Sequence, residues 1–290
     1  MPDVYTKVEN INNWKKLNDF YYDNTINNGK WENWIFRGQL DFCWDLKTSL
    51  ERSFLDYVID LKNADKYEKG MLRRFKRQFH LFTNDIPDDN DYVRWFSIMQ
   101  HYGCPTRMLD FTYSFFIALF FATEKVSLDT SSHVDCAIWS INHKWLKDKF
   151  HKHGKFRLIY LKDKNLKQVG SIKAILNSKS AFIKSLNPLC LNQRLVLQQG
   201  LFLLPLDIRK PFMDNLGNIA KEKETRKNVL KIKISIDKKF LNEIYYNLNR
   251  MNINNATLFP DIDGFARYLK MVLPIHDKYG GFLAIDKNKF

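Results

Sequence analysis

Cysteine is scarce and scattered in this chain. The four residues, Cys43, Cys104, Cys136 and Cys190, never fall into a CxxC spacing. That argues against a disulfide framework or a cysteine-built zinc site, and reads as buried thiols of a reducing compartment. No apolar run reaches the roughly 20 residues that a bilayer span requires. Residues 1–10 lack the apolar core of a secretion signal. A soluble, cytoplasmic protein without membrane contact is expected. No P-loop, GxSxG or HExxH motif occurs. Nor is there a repeat, a low-complexity block or a linker, so residues 1–290 read as a single domain.

Acidic residues are the minority charge, 32 Asp and Glu against 46 Lys and Arg, for a net +14. Such an excess sets up a positive potential that draws polyanions. Nucleic acid is the first partner expected. An acidic protein is the competitor, and a lysine-rich proteome habit is the bland explanation. With 45% hydrophobic and 15% aromatic residues, the chain can bury the core of one large domain or two closely packed ones.

Apolar spacing predicts the elements. Residues 8–22, with Ile11, Trp14, Leu17, Phe20 and Tyr21, read as a helix, and residues 23–30 as a turn. Trp34-Ile35-Phe36-Arg37-Gly38 reads as a short strand closed by glycine. Residues 46–82 form a long helical region, broken near 62–70, with a stripe of Leu50, Phe54, Val58, Leu61, Leu72, Phe75 and Phe79. Its run Arg73-Arg74-Phe75-Lys76-Arg77 is either a solvated face or a polyanion contact. A helix over 92–102 ends at Gly103. A buried strand or bend at 108–112 leads into an apolar helix at 114–125, and a strand covers 134–141.

Residues 142–155, with Lys144, Lys147, Lys149, His151, Lys152, His153 and Lys155, read as a basic surface segment. No cysteine or carboxylate completes a ligand set with the two histidines, so no metal is expected. Further strands are expected at 181–190, broken by Pro188, at 201–206, and as an amphipathic strand at 229–236. A helix or turn is expected at 194–199, a charged surface excursion at 212–226, helices at 238–251 and 261–272, and a last strand at 282–285. Asp261 or Asp263 would cap the final helix. The fold class is α+β, a mixed and short-stranded sheet core with a helical N-terminal part of about residues 1–100 and a mixed part of about 101–290.

Residues 99–124 concentrate the polar chemistry. Gln100, His101, Thr106, Arg107, Asp110 and Thr112 share one turn-rich segment that Gly103 and Pro105 break. The apolar run 115–122 follows at once. Such a loop either carries binding groups on a rigid scaffold or orders a core turn through a satisfied polar network.

These residues carry a resemblance. Ile35-Phe36-Arg37-Gly38-Gln39 resembles the motif that names the FRG domain. Gln100-His101-Tyr102-Gly103-x-Pro-Thr-Arg-x-Leu-Asp110-x-Thr112, followed by Ala118-Leu119-Phe120-Phe121-Ala122, resembles that domain's longest signature. Arg194-x-x-x-Gln198-x-Gly200-x-Phe202 and Leu258-Phe259-Pro260-Asp261-x-Asp263-Gly264 resemble its third and closing blocks. A more distant similarity is to arginine-type ADP-ribosyltransferases. There an aromatic-Arg-Gly strand holds the dinucleotide, a Ser-Thr-Ser strand leads to a helix ending in Phe-Ala, and a late Glu precedes a Gly-rich turn. Phe36-Arg37-Gly38, then Asp110-Phe111-Thr112 with Phe121-Ala122, then Gln198-Gln199-Gly200 are similar in order. Gln198 departs from the pattern, standing where that family has its catalytic Glu. The resemblance implies an ADP-ribosyltransferase-like core and NAD as substrate.

A site for NAD needs a cation fork for the pyrophosphate, and arginine's planar fork suits it best. Arg37 is the first candidate, Arg107 and Arg194 the next. Phe36, Tyr102 and the Gly38 backbone could meet a base. Gln39, Gln100, Thr106 and Thr112 are further binding candidates, or they satisfy backbone and cap turns. Breaking the glycosidic bond develops positive charge on the ribose, which a carboxylate stabilises. Asp110 is the carboxylate of the signature segment, unless it simply pairs with Arg107. His101 could act as a base, and Gln198 could hold a ribose hydroxyl or the acceptor.

Two functions follow. One is an NAD-dependent ADP-ribosyltransferase-like toxin or phage-defence effector that modifies nucleic acid, single strands preferred, with an antitoxin or chaperone partner. The other is a non-catalytic nucleotide- or nucleic-acid-binding sensor on the same scaffold.

Overall fold

The computed structural model describes residues 4–27, 31–126, 133–163, 169–187 and 193–279. Its middle layer is a seven-stranded mixed sheet. The strands are β1 (Thr6–Ile11), β2 (Trp34–Gln39), β3 (Leu109–Thr112), β4 (Val134–Asn142), β5 (Ile183–Leu186), β6 (Gly200–Pro205) and β7 (Val229–Ile236). They lie in the order β1-β7-β4-β2-β3-β6-β5. β1 runs parallel to β7, and the other neighbours are antiparallel.

The helices before β4 are α1 (Trp14–Tyr22), α2 (Ser49–Asp56), α3 (Ala64–Phe79), α4 (Tyr92–His101) and α5 (Phe115–Thr123). Between β4 and β6 come α6 (His143–Lys152), α7 (Gly154–Lys162), α8 (Val169–Leu176) and α9 (Gln193–Leu197). The remainder are α10 (Phe212–Gly217), α11 (Glu222–Asn228), α12 (Lys238–Arg250), α13 (Asn255–Leu258) and α14 (Ile262–Tyr279). The architecture is the mixed α+β class expected.

Helices cover both faces of the sheet. Successive strand residues point to opposite faces. In β4, Cys136 and Ile138 therefore join the core formed with α5 and α12, while Ala137, Trp139 and Ile141 join the core formed with α6. α5 is apolar all round and buries Phe115, Ile117, Leu119 and Phe120. Each such side chain contributes about 1.5–3 kcal/mol when fully buried. Ser114 starts this helix by accepting the Ile117 N–H at 3.3 Å.

Several expectations change for tertiary reasons. The helix expected over residues 8–22 begins only at Trp14, and residues 6–11 are β1. Parallel pairing with β7, from Thr6 opposite Leu230 to Ile11 opposite Ile234, overrides the helical spacing. The break expected near 62–70 lies at 57–63, between α2 and α3. There Val58 takes φ 55°, a strained conformation for a β-branched residue. It is 92% exposed and leaves the expected stripe.

The basic segment 142–155 contains α6, which buries His143, Trp145, Leu146 and Phe150 and turns Lys144, Lys147 and Lys152 outward. Residues 212–226, expected as a surface excursion, hold α10 and α11. Asn215 is buried there, accepting from the Phe182 and Asp207 N–H groups and donating to the Asp207 and Pro211 carbonyls. β7 is not half-exposed. Lys231 is 2% exposed, and its Nζ lies 5.2, 5.0 and 4.7 Å from the ring centres of Tyr5, Phe42 and Trp139.

Cys136 is buried as expected, but Cys43 is exposed and Cys104 partly so. The turn residues 28–30, Pro188, Cys190 and the strand at 282–285 lie outside the described residues. Among the described residues, no helix is long and apolar enough to cross a membrane.

Candidate active-site cleft

The sheet forks between β2 and β3. β2 pairs with β4 from Trp34 to Gln39, and β3 pairs with β6 from Leu109 to Thr112. β2 and β3 themselves share one pair, Phe36 opposite Thr112. A cleft of about 1150 Å³ opens where the strands part, and α2, α4, α5, α9 and α14 contribute to its walls.

Gly38 makes the fork compact. A Cβ on Gly38 would stand 2.0 Å from the Ala118 oxygen and 2.5 Å from the Ala122 nitrogen. The Phe36-Arg37-Gly38 strand and the Ala118-to-Ala122 helix are therefore two halves of one contact. Only a glycine opposite small residues lets β2 lie on α5 this closely. That contact sets the place of Arg37.

The Arg37 guanidinium crosses the fork. Its Nη1 donates to the Asp110 carbonyl oxygen at 2.7 Å, while its buried Nε has no hydrogen-bond partner. Burial pushes the Arg37 pKa down, Asp110 opposes that, and Arg52 adds to it. Asp110 is itself held from α4. α4 ends in a left-handed turn at Gly103, φ 78°, which brings Thr106 back to Gln100. The Thr106 hydroxyl donates to Gln100 Oε1. Gln100 Nε2 then donates to Asp110 Oδ2 at 2.7 Å.

The third block arrives from the far side of β3. The Thr112 hydroxyl donates to the Gln198 carbonyl oxygen at 2.7 Å, and Gln198 Nε2 donates to the Leu258 carbonyl oxygen at 3.0 Å. In the closing block, Asp261 Oδ1 accepts the Gly264 N–H at 2.6 Å, the helix-capping role expected of it. Phe259 lies beneath two guanidiniums. The central carbons of Arg194 and Arg267 are each 4.4 Å from its ring centre.

Ten of the sequence candidates line this one cleft. Phe36, Arg37, Gly38 and Gln39 come from β2, and Gln100 and His101 from α4. Asp110 and Thr112 come from β3, with Arg194 and Gln198 from the α9 region. Gln39 is nonetheless engaged elsewhere, accepting from Trp139 Nε1 at 2.7 Å and donating to the Asp45 carbonyl at 3.4 Å. His101 is held below the ordinary histidine pKa by burial and by Arg194, with Asp261 opposing. It is therefore neutral, and able to accept a proton, at neutral pH.

Three candidates lie elsewhere. Tyr102 is 71% exposed and edges onto His101 rather than the cleft. Thr106 is buried as the support of Gln100. Arg107 is corrected most clearly, because its guanidinium grips buried Glu68 in two bonds and donates to the Leu176 carbonyl at 2.9 Å. That pairing also replaces the Arg107 to Asp110 pair considered from spacing.

Sequence reasoning passed over other cleft residues, Trp44, Arg52, Glu124 and Arg267. Glu124 carried a legible signal. It follows the apolar helix α5 at its C-terminal, negative end, where a carboxylate is disfavoured. Burial pushes its pKa up, against Lys125, Arg267 and Arg194. Nothing local marked Arg267, one of many cations on amphipathic helices.

No curated protein and no solved structure matches the chain. The family model of the FRG domain matches residues 32–131. That span takes in Arg37, Gln100 and Asp110 but not the third and closing blocks. The chain thus carries an FRG domain, and the fork of the sheet lies within it.

Proposed function

We propose that the cleft binds NAD in the cytoplasm and that the protein is an ADP-ribosyltransferase-like toxin or defence effector acting on single-stranded nucleic acid. The observation that carries this reading is Arg37, which lines a large cleft and whose buried Nε has no hydrogen-bond partner. An arginine edge left without an acceptor calls for an anion that arrives with a ligand. Arg52 beside it suits a doubly charged pyrophosphate. The Phe36 ring packs into the core against Trp31 and Phe115 and is not free to meet a base as expected, which leaves the Gly38 main chain for that role in this wall. The volume exceeds the 300–1,000 Å³ typical of drug-sized ligands, which suits a dinucleotide with part of an acceptor.

In such a transfer the ribose C1′ to nicotinamide bond breaks with its electron pair leaving on nicotinamide. A bond from C1′ to the acceptor forms, and the acceptor releases a proton. This chain offers neutral His101 for that proton and the Asp110 and Glu124 carboxylates for the positive charge on the ribose. The net positive charge of the chain favours a polyanionic acceptor. An antitoxin or chaperone would restrain the free effector.

Gln198 favours a second reading. Its amide is tied to the Leu258 carbonyl and offers no carboxylate. A nucleotide- or nucleic-acid-binding sensor needs none. The test incubates purified protein with NAD labelled in its adenylate phosphate and a mixture of RNA, DNA and protein. Label on nucleic acid is expected. NAD binding by calorimetry without label transfer would favour the sensor, and absence of NAD binding would remove both NAD readings.

A further inference from the structure

Arg194 and Arg267 are paired within the same cleft. Both guanidiniums lie over Phe259, a ring that is 4% exposed and held in place by the edge of Phe121 at 6.1 Å. Stacking engages the face of a guanidinium and leaves its N–H donors free at the edge. Among the described residues, neither arginine forms an ion pair. The Arg267 side chain has one long bond, Nε to the Asp263 carbonyl at 3.3 Å, and the Arg194 side chain has none among the described residues. Two cations held against one ring repel each other, and both line the cleft. Burial and Arg267 push the Arg194 pKa down, against Asp110, Asp261 and Glu124.

We infer that Arg194 and Arg267, stacked on Phe259, form a phosphate subsite separate from Arg37, which takes a backbone phosphate of the acceptor strand. The inference rests on the dinucleotide reading of the cleft for its assignment to an acceptor. Arg37 and Arg52 belong to the β2 and α2 side of the fork, whereas Arg194 and Arg267 belong to α9 and α14. Two phosphate positions suit two substrates. The nearby carboxylates Glu124 and Asp261 would keep the subsite weak for a free phosphate and let it act when the strand is also held elsewhere.

The experiment measures two affinities in one set of proteins. One is NAD, by calorimetry. The other is a fluorescein-labelled ten-residue RNA single strand, by anisotropy with and without saturating NAD. R267Q and R267K alter a solvent-exposed position of α14, and R194Q completes the pair. Thermal melting checks the fold. The double variant R194Q/R267Q should bind RNA at least tenfold more weakly while NAD affinity stays within about twofold. R267K should recover only part of the loss, because an ammonium has no planar fork. A fall in NAD affinity with RNA binding unchanged would hand the subsite to the dinucleotide's own pyrophosphate and overturn the inference. No change in either affinity would overturn it too. Loss of RNA binding in a protein that does not bind NAD at all would sink the dinucleotide reading and leave the phosphate subsite standing.

Discussion

Arg37 Nη1 reaches the main-chain oxygen of Asp110 at 2.7 Å, across the point where β2 and β3 separate. A side chain thus closes the gap that the strands leave open. The Arg37 Nε beside that bond is buried and has no hydrogen-bond partner. Asp110 is fixed on its other side by Gln100. The two residues therefore act as one unit, and the unit belongs to β2, β3 and α4 together.

Arg37→Lys should behave as a severe change. Lysine keeps the charge but cannot bridge to Asp110 and present a second donor to a ligand. Losing one charge-assisted bond costs about 1.5–3 kcal/mol, so NAD affinity should fall roughly tenfold or more. Calorimetry on the folded variant measures it. Unchanged affinity would make Arg37 a purely structural bridge.

Gly38→Ala should destabilise the protein. The new methyl would stand 2.0 Å from the Ala118 oxygen, and backbone must move to admit it. Overpacking of this kind costs about 1–3 kcal/mol. Urea unfolding gives the value, and a variant as stable as the parent would show that β2 and α5 are not held together as tightly as described.

Arg107 should matter for stability and little for ligand affinity. Its guanidinium and the Glu68 carboxylate are 3% and 5% exposed. Glu68→Gln or Arg107→Met leaves one charge buried without its partner, which costs about 3–5 kcal/mol. NAD affinity in whatever fraction stays folded should be close to that of the parent. A variant of normal stability that no longer binds NAD would return Arg107 to the list of ligand contacts.

Acid should unfold the protein partly through His143. Its Nε2 lies 3.0 Å from Ser185 Oγ. Burial, reinforced by Lys147 and Lys184, lowers its pKa from 6.5 to about 3. Below 6.5 the unfolded chain binds a proton that the folded chain refuses. Stability from this group is thus fully present above pH 6.5 and is lost as pH falls toward 3, by up to about 1.4 kcal/mol per unit. His143→Gln should flatten the pH slope of unfolding free energy between 6.5 and 4. Equal slopes in the two proteins would contradict this account.

If nucleic acid is the partner, salt should report it. Arg73, Arg74 and Arg77 are exposed on α3, whereas Lys76 is held by the Asp89 carboxylate at 3.6 Å and by the Tyr92 ring. Changing the three arginines to glutamine should flatten log affinity against log salt by about two to three units and weaken all sequences alike. Single strands should bind better than duplex, since chemistry on a base requires it to be unpaired. Undetectable binding at low salt would leave an acidic protein as the better partner.

Local rules read much of this chain. Apolar helical spacing and Ser114 mark α5, Gly103 marks the end of α4, and aromatic and branched residues mark β2. The motifs at 35–39 and 99–124 are short stretches whose residues reach one cleft through neighbouring elements, so their convergence was legible in outline. Other features depend on partners far away in sequence. Arg107 reads as a ligand contact until Glu68, 39 residues earlier, is seen beside it. Lys231 reads as the polar side of a strand until Tyr5, Phe42 and Trp139 close around it. Helical spacing in residues 8–11 yields to β7, more than 200 residues away. Periodicity records which face of an element is apolar, and caps record where it ends. Which strand lies beside which, and hence where the sheet forks, follows from packing all the elements at once, and that packing placed Arg267 and Glu124 in the cleft.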